Sequence, residues 1–129
     1  METNISAIDV KPSCEIIDYK GIKIVYTNIA GSLPEDAIPA FERTRVLVPT
    51  FGEKEALSLV NAKDARFNTD LISKIKEVVK MNNFHVKATA VCGLSTLTSL
   101  MVNSIISFTG RKMKLFDTVE EAKEWLINQ

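Results

Sequence analysis

The sequence predicts an α/β domain of order ββαβαβαβα, with a central, mostly parallel sheet covered by four helices. Three observations carry this. From residue 56 onward, short apolar runs rich in Val, Ile and Ala alternate with segments of helical period, which requires crossover connections and hence parallel strands. The first two apolar runs are separated only by Tyr19-Lys20-Gly21, a glycine-containing break of hairpin length. The closing stretch supplies a helix stop at Gly110 and a capping signal at Thr118.

Taken in order, residues 1–12 are expected to form an irregular arm ending at Pro12, and 13–129 the domain. Cys14 to Asp18 and Ile22 to Thr27 are the hairpin strands, and Ala30-Gly31-Ser32-Leu33-Pro34 is a turn. Pro34, Glu35 and Asp36 suit the start of a helix, where proline is tolerated and acids favour the dipole. Ala37, Ile38, Phe41 and Leu47 follow at helical spacing, Pro39 is placed within the first turn, and Pro49 marks the end. Ala56 to Asn61 is the third strand, and a polar loop, Lys63 to Asn68, follows it. The second helix presents Leu71, Ile72, Ile75, Val78 and Val79 on one face, with Asn68 or Thr69 as its N-cap. Val86 to Cys92 is the fourth strand. The third helix is expected from Leu94 to Phe108, with Leu94, Leu97, Met101, Ile105 and Phe108 as its stripe. Met113 to Phe116 is the fifth strand, and the last helix buries Val119, Ala122, Trp125 and Leu126.

Composition narrows the function classes. A chain of 129 residues suits one domain. Sixteen basic residues balance sixteen acidic ones, so no net field draws in a nucleic-acid backbone or an anionic membrane. The N-terminus has neither a basic segment nor a long apolar one, which points to the cytoplasm and leaves the sequon Asn4-Ile5-Ser6 as a chance match. Ala88 to Gly110 carries no charge for 23 residues but contains nine Ser, Thr or Asn residues. Its character changes at Gly93 from β-rich to helical, so a strand running into a buried helix is favoured over a membrane span. Cys14 and Cys92 lie in apolar runs and read as small core residues rather than a disulfide or reactive thiols. Two cysteines and one histidine make a poor metal site, and no cofactor motif is present.

The order and the closing residues together resemble a known family. Phe108-Thr109-Gly110, Met113-Lys114-Leu115-Phe116 and Asp117-Thr118-Val119-Glu120-Glu121-Ala122 resemble the end of STAS domains, the anti-sigma-factor antagonists. There too a helix ends in Ser/Thr-Gly before a short strand and an acidic helix. The ending Glu121-Ala122-Lys123-Glu124-Trp125-Leu126 is more similar to the SpoIIAA-like branch, related in shape to lipid-binding SEC14 domains. The resemblance spans roughly residues 14–128 and implies a single STAS/SpoIIAA-like domain. It also implies a contact surface for a protein partner around the loop before the second helix.

At that loop the chain departs from the family. STAS antagonists carry Asp-Ser-Ser-Gly there, and the first serine accepts a phosphate. With the family's loop phenylalanine matched to Phe67, Asp70 stands at the acceptor position and Thr69 at the preceding aspartate. The phosphorylation switch therefore does not carry over. Asp70 either imitates a phosphorylated state or serves the helix dipole, and Thr69 is an alternative acceptor. The expected partner surface comprises Lys63, Asp64, Arg66, Phe67, Asn68, Thr69 and Asp70, with a solvated loop as the alternative.

The third helix offers a second surface. Leu100, Val102 and Ile106 are apolar outside its main stripe, so it is either buried on most sides or presents a face to a partner or a second copy of the chain. Its lack of charge also suits an apolar ligand crevice along Leu94, Leu97, Met101 and Ile105. Gly93-Leu94-Ser95-Thr96 is a tight turn or an anion cradle, and Arg111, Lys112 and Lys114 complement a helix C-terminus. No catalytic constellation accompanies His85 or Cys92. The expected function is therefore that of a non-catalytic regulatory or binding domain that recognises a protein partner through the loop and helix around 63–74, with binding of a small apolar ligand or lipid as the alternative.

Overall fold

The computed structural model describes residues 11–129, the side chains of Leu97 and Phe108 excepted. Residues 1–10 of the expected arm thus lie outside the described residues. Five strands form one sheet in the order β1-β2-β3-β4-β5. Strands β1 (Ser13–Tyr19) and β2 (Ile22–Asn28) are antiparallel, while β3 (Ala56–Asn61), β4 (Val86–Cys92) and β5 (Met113–Phe116) continue parallel to β2. The hairpin turn places Lys20 at φ 53° and Gly21 at φ 82°, both left-handed as a two-residue turn matching the sheet twist requires.

Helices α1 (Pro34–Leu47), α2 (Thr69–Asn82) and α3 (Thr96–Thr109) connect successive parallel strands, with a short 3-10 turn, Val48–Thr50, after α1. Ala37, Ala40 and Phe41 of α1, Leu71, Ile75 and Val79 of α2 and Ile105 of α3 share one core with Val91. Helix α4 (Val119–Ile127) follows the last strand and covers the opposite face. There Ala122 and Leu126 pack on Ile24, Leu57, Leu59, Ala88 and Ala90. The period-2 alternation of the strands sorts the two cores, and alanines at 88 and 90 let α4 approach closely.

Several expectations change in detail. Because α1 begins at Pro34, Pro39 falls beyond the first turn and inside the helix. Both Pro39 and Glu35, whose carbonyl loses its partner, are exposed, so water can take the freed acceptor. Helix α3 starts at Thr96 rather than Leu94, because Gly93 turns the chain at φ 84° and Ser95 then caps the helix, accepting from Thr98 N–H at 3.2 Å. The rotation of α3 also differs. Val102, outside the expected stripe, is buried beside Ile105, while Met101 is half-buried. Leu100 is 63% exposed, so α3 is not buried on most sides.

Candidate functional site

The face of the sheet beneath α1, α2 and α3 is not uniformly apolar. Thr27, Ser58 and Thr89 occupy it on β2, β3 and β4, and all three are buried. Side chains this short leave space above the sheet that leucines would fill. The Thr27 hydroxyl is satisfied by the Cys14 Sγ at 3.4 Å, and Thr89 accepts from Arg111 at 2.8 Å. On the helix side, the Asn82 amide donates to the Thr44 hydroxyl at 3.0 Å, which in turn donates to the Phe41 carbonyl at 2.6 Å.

Above this floor α3 packs chiefly against α2, and its contacts with the strands are sparse. The result is a chamber between sheet and helices, with about 60 Å³ in which the centre of a water molecule can lie. Its walls are overwhelmingly apolar: Val60 and Val91 from the sheet, Ile75 and Val79 from α2, Val102 and Ile105 from α3. Half-buried Phe67 and Leu94 close it at the C-terminal ends of the strands, where open α/β sheets place their ligands. Met113 and Arg111 bound it on the β5 side.

Arg111 was expected beside Lys112 and Lys114 as an ordinary complement to a helix end. Lys112 and Lys114 are exposed, but Arg111 is only 6% exposed. Its Nε–H donates to Asn83 Oδ1 at 2.6 Å, Nη1 to Thr89 Oγ1 at 2.8 Å and Nη2 to the Val79 carbonyl at 2.7 Å. It therefore ties the end of α2, not α3, to β4. Burial pushes its guanidinium down to about 10, since desolvation disfavours the charged form. Sequence reasoning grouped it with surface lysines because neighbouring cations hide which one turns inward.

The expected ligand residues divide. Leu94 and Ile105 line the chamber, Met101 does not, and the side chain of Leu97 lies outside the described residues. The expected partner residues form a compact exposed loop. Lys63, Asp64, Arg66, Asn68, Thr69 and Asp70 are exposed, and only Phe67 turns inward. The loop is pinned to the turn after β2, with Gly31 N–H donating to the Lys63 carbonyl at 2.8 Å and Arg66 N–H to the Ser32 carbonyl at 3.0 Å. Asn68 is the N-cap of α2, accepting from Leu71 N–H at 2.9 Å, and Asp70 lies in the first helical turn. Gly93 sits against this loop, because a Cβ there would lie 2.7 Å from the Lys63 Cα. The Gly93–Thr96 segment is thus a tight turn enforced by close approach.

His85 stands apart from the chamber, its Nδ1 2.9 Å from the Phe51 carbonyl. Both cysteines are free and buried, and burial raises both thiols. Among the described residues, no cluster of His, Cys, Asp and Glu could hold a metal ion, and no helix is long and apolar enough to cross a membrane.

No protein-family profile and no curated protein matches the chain. Among solved structures it is similar to an uncharacterized protein of the DUF3478 family from Shewanella loihica PV-4, which has a SpoIIAA-like fold. That similarity has a TM-score of 0.68 at 15% identity, and covers 90% of this chain and 94% of the other. The fold is SpoIIAA-like, as the closing residues led us to expect.

Proposed function

We propose that this protein is a non-catalytic, cytoplasmic binding domain that holds a small apolar molecule or lipid chain in the chamber beneath α3. The observation that carries the reading is the chamber itself: short polar residues in the floor, apolar walls, and α3 as its roof. Apolar pockets with a few convergent polar groups are the usual form of small-molecule sites. The placement of His85 and the raised thiols support a role without acid–base or nucleophilic chemistry. Native mass spectrometry of protein taken from cells, followed by a thermal-shift screen of lipids and fatty acids, tests the proposal. We expect a co-purifying mass, and a rise in melting temperature that Val91→Phe, which fills the chamber, abolishes. Neither a bound mass nor a shift would remove the ligand reading.

A second reading, recognition of a protein partner through residues 63–70, is favoured by the pinned and exposed loop. Lys63, Arg66 and Asp70 take part in none of the ion pairs among the described residues, so their charges stay available to a partner. Pull-downs with the wild type and an Arg66→Glu, Asp70→Lys double variant should recover different partner sets. Identical sets would sink this surface. Because Phe67 belongs to both loop and chamber, the two readings are physically compatible.

A further inference from the structure

A guanidinium taken out of water needs charge compensation or a full set of hydrogen bonds. Arg111 has neither among the described residues. Its three acceptors, Asn83 Oδ1, Thr89 Oγ1 and the Val79 carbonyl, are all neutral. It takes part in none of the ion pairs found there, and desolvation is the only influence resolved on its charge. The carbonyl end of α2 offsets part of the cost, because Val79 lies in its last turns. An arginine has five N–H donors. The three bonds use one on each nitrogen, which leaves one N–H on each terminal nitrogen. A buried cation with two spare donors lines a largely apolar chamber.

We propose that Arg111 is the anion-binding end of this chamber and that the ligand is an aliphatic carboxylate, a short- or medium-chain fatty acid. The inference rests on the reading of the chamber as a ligand site and adds the chemistry of the ligand's head. The two spare donors equal in number the two oxygens of a carboxylate, an anion that arginine binds well. The aliphatic chain lies along Val91 and Val60 toward Phe67 and Leu94. A carboxylate supplies the charge that the three neutral acceptors do not, while the chain takes the apolar volume. A water needs roughly 10–15 Å³ of such space, so the chamber of about 60 Å³ suits a chain of only a few carbons. Longer chains enter as α3, much of whose described surface is exposed, moves outward.

The test is a pair of probes that differ only in the head, hexanoate and hexan-1-ol, titrated into the ¹⁵N-labelled protein and followed by amide and arginine side-chain N–H resonances. We expect hexanoate to shift the amides of Val91, Val102 and Ile105 together with the Arg111 Nε–H. Hexan-1-ol should bind at least about tenfold more weakly, the difference a charge-assisted contact makes. Arg111→Gln should bring the two affinities together. Equal binding of both probes by the wild type overturns the carboxylate assignment and leaves the apolar site standing, as does binding of hexanoate that leaves the Arg111 Nε–H unmoved. Absence of any shift at chamber amides with either probe overturns both. The wild-type comparison holds even where Arg111→Gln fails to fold.

Discussion

Cys92 and Gly93 end β4 side by side, and each shows how a neighbour far away in sequence sets the properties of a residue. Burial pushes the Cys92 thiol from its ordinary 9.0 up to about 11, a backbone hydrogen bond from Ala62 pulling the other way. The folded state therefore holds its proton more tightly than the unfolded chain. That contribution is complete below pH 9.0 and is lost as pH rises toward about 11. Chemical denaturation at a pH of about 8 and about 10 should show the wild type losing roughly 1 kcal/mol more than Cys92→Ala across that interval. Equal losses would mean that the thiol ionises as freely in the folded protein as outside it. The apolar run TAVCG made burial of Cys92 legible in the sequence. Nothing in it revealed the contact of Gly93 with Lys63, because that contact joins two strand-end loops that are neighbours only in the sheet. Arg111 is the same case with more consequence: its partners lie on α2, at the end of α2 and on β4.

Among the elements, α3 departs furthest from expectation. Its start was expected at Leu94 and lies at Thr96, after the Ser95 cap, but its end at Gly110 was readable, since short-range chemistry dictates the left-handed turn there. Its rotation was not. With Leu, Met, Val, Ile and Phe on several sides and no charged residue from Thr96 to Thr109, no polar face fixes which side turns inward. The structure selects Val102 and Ile105 and leaves Leu100 outside. By contrast, α2 has lysines opposite its apolar stripe, and its expected face is the one that packs. Ion pairs then join it to α1, with Arg45 2.6 Å from Glu77 and Lys74 bonded to Glu42. A helix with two buried side chains among its described residues opens more easily than one held along its whole face. Amide hydrogen exchange should be faster in α3 than in α2, and ligand in the chamber should slow α3 selectively. Equal protection in the two helices would argue against α3 as a movable roof.

Across the whole molecule, the order of strands and helices was legible because each element announces itself locally. Alternating apolar runs, caps and glycine stops occur at the right spacings, and short parallel crossovers leave few topologies. The assignment of α1, α2 and α3 to one face and α4 to the other follows from the sheet order and the separate clusters of buried residues. The loop of residues 63–68 was likewise visible as a polar segment between two strong periodic ones, and it lies exposed where the strands end. The chamber was only partly visible. Leu94 and Ile105 were expected beside it, whereas Thr27, Ser58, Thr89 and Arg111 were not. A threonine within a strand gives no sign of whether its neighbours are long or short, and the empty volume belongs to no single residue. By itself, then, the sequence determined the SpoIIAA-like succession of elements, the caps at Gly110 and Thr118 and the exposed loop, since these depend on interactions within a few residues. The tertiary structure alone decided the rotation of α3, the inward turn of Arg111 and the chamber between them, because packing side chains from many elements against one sheet face is a property of their juxtaposition.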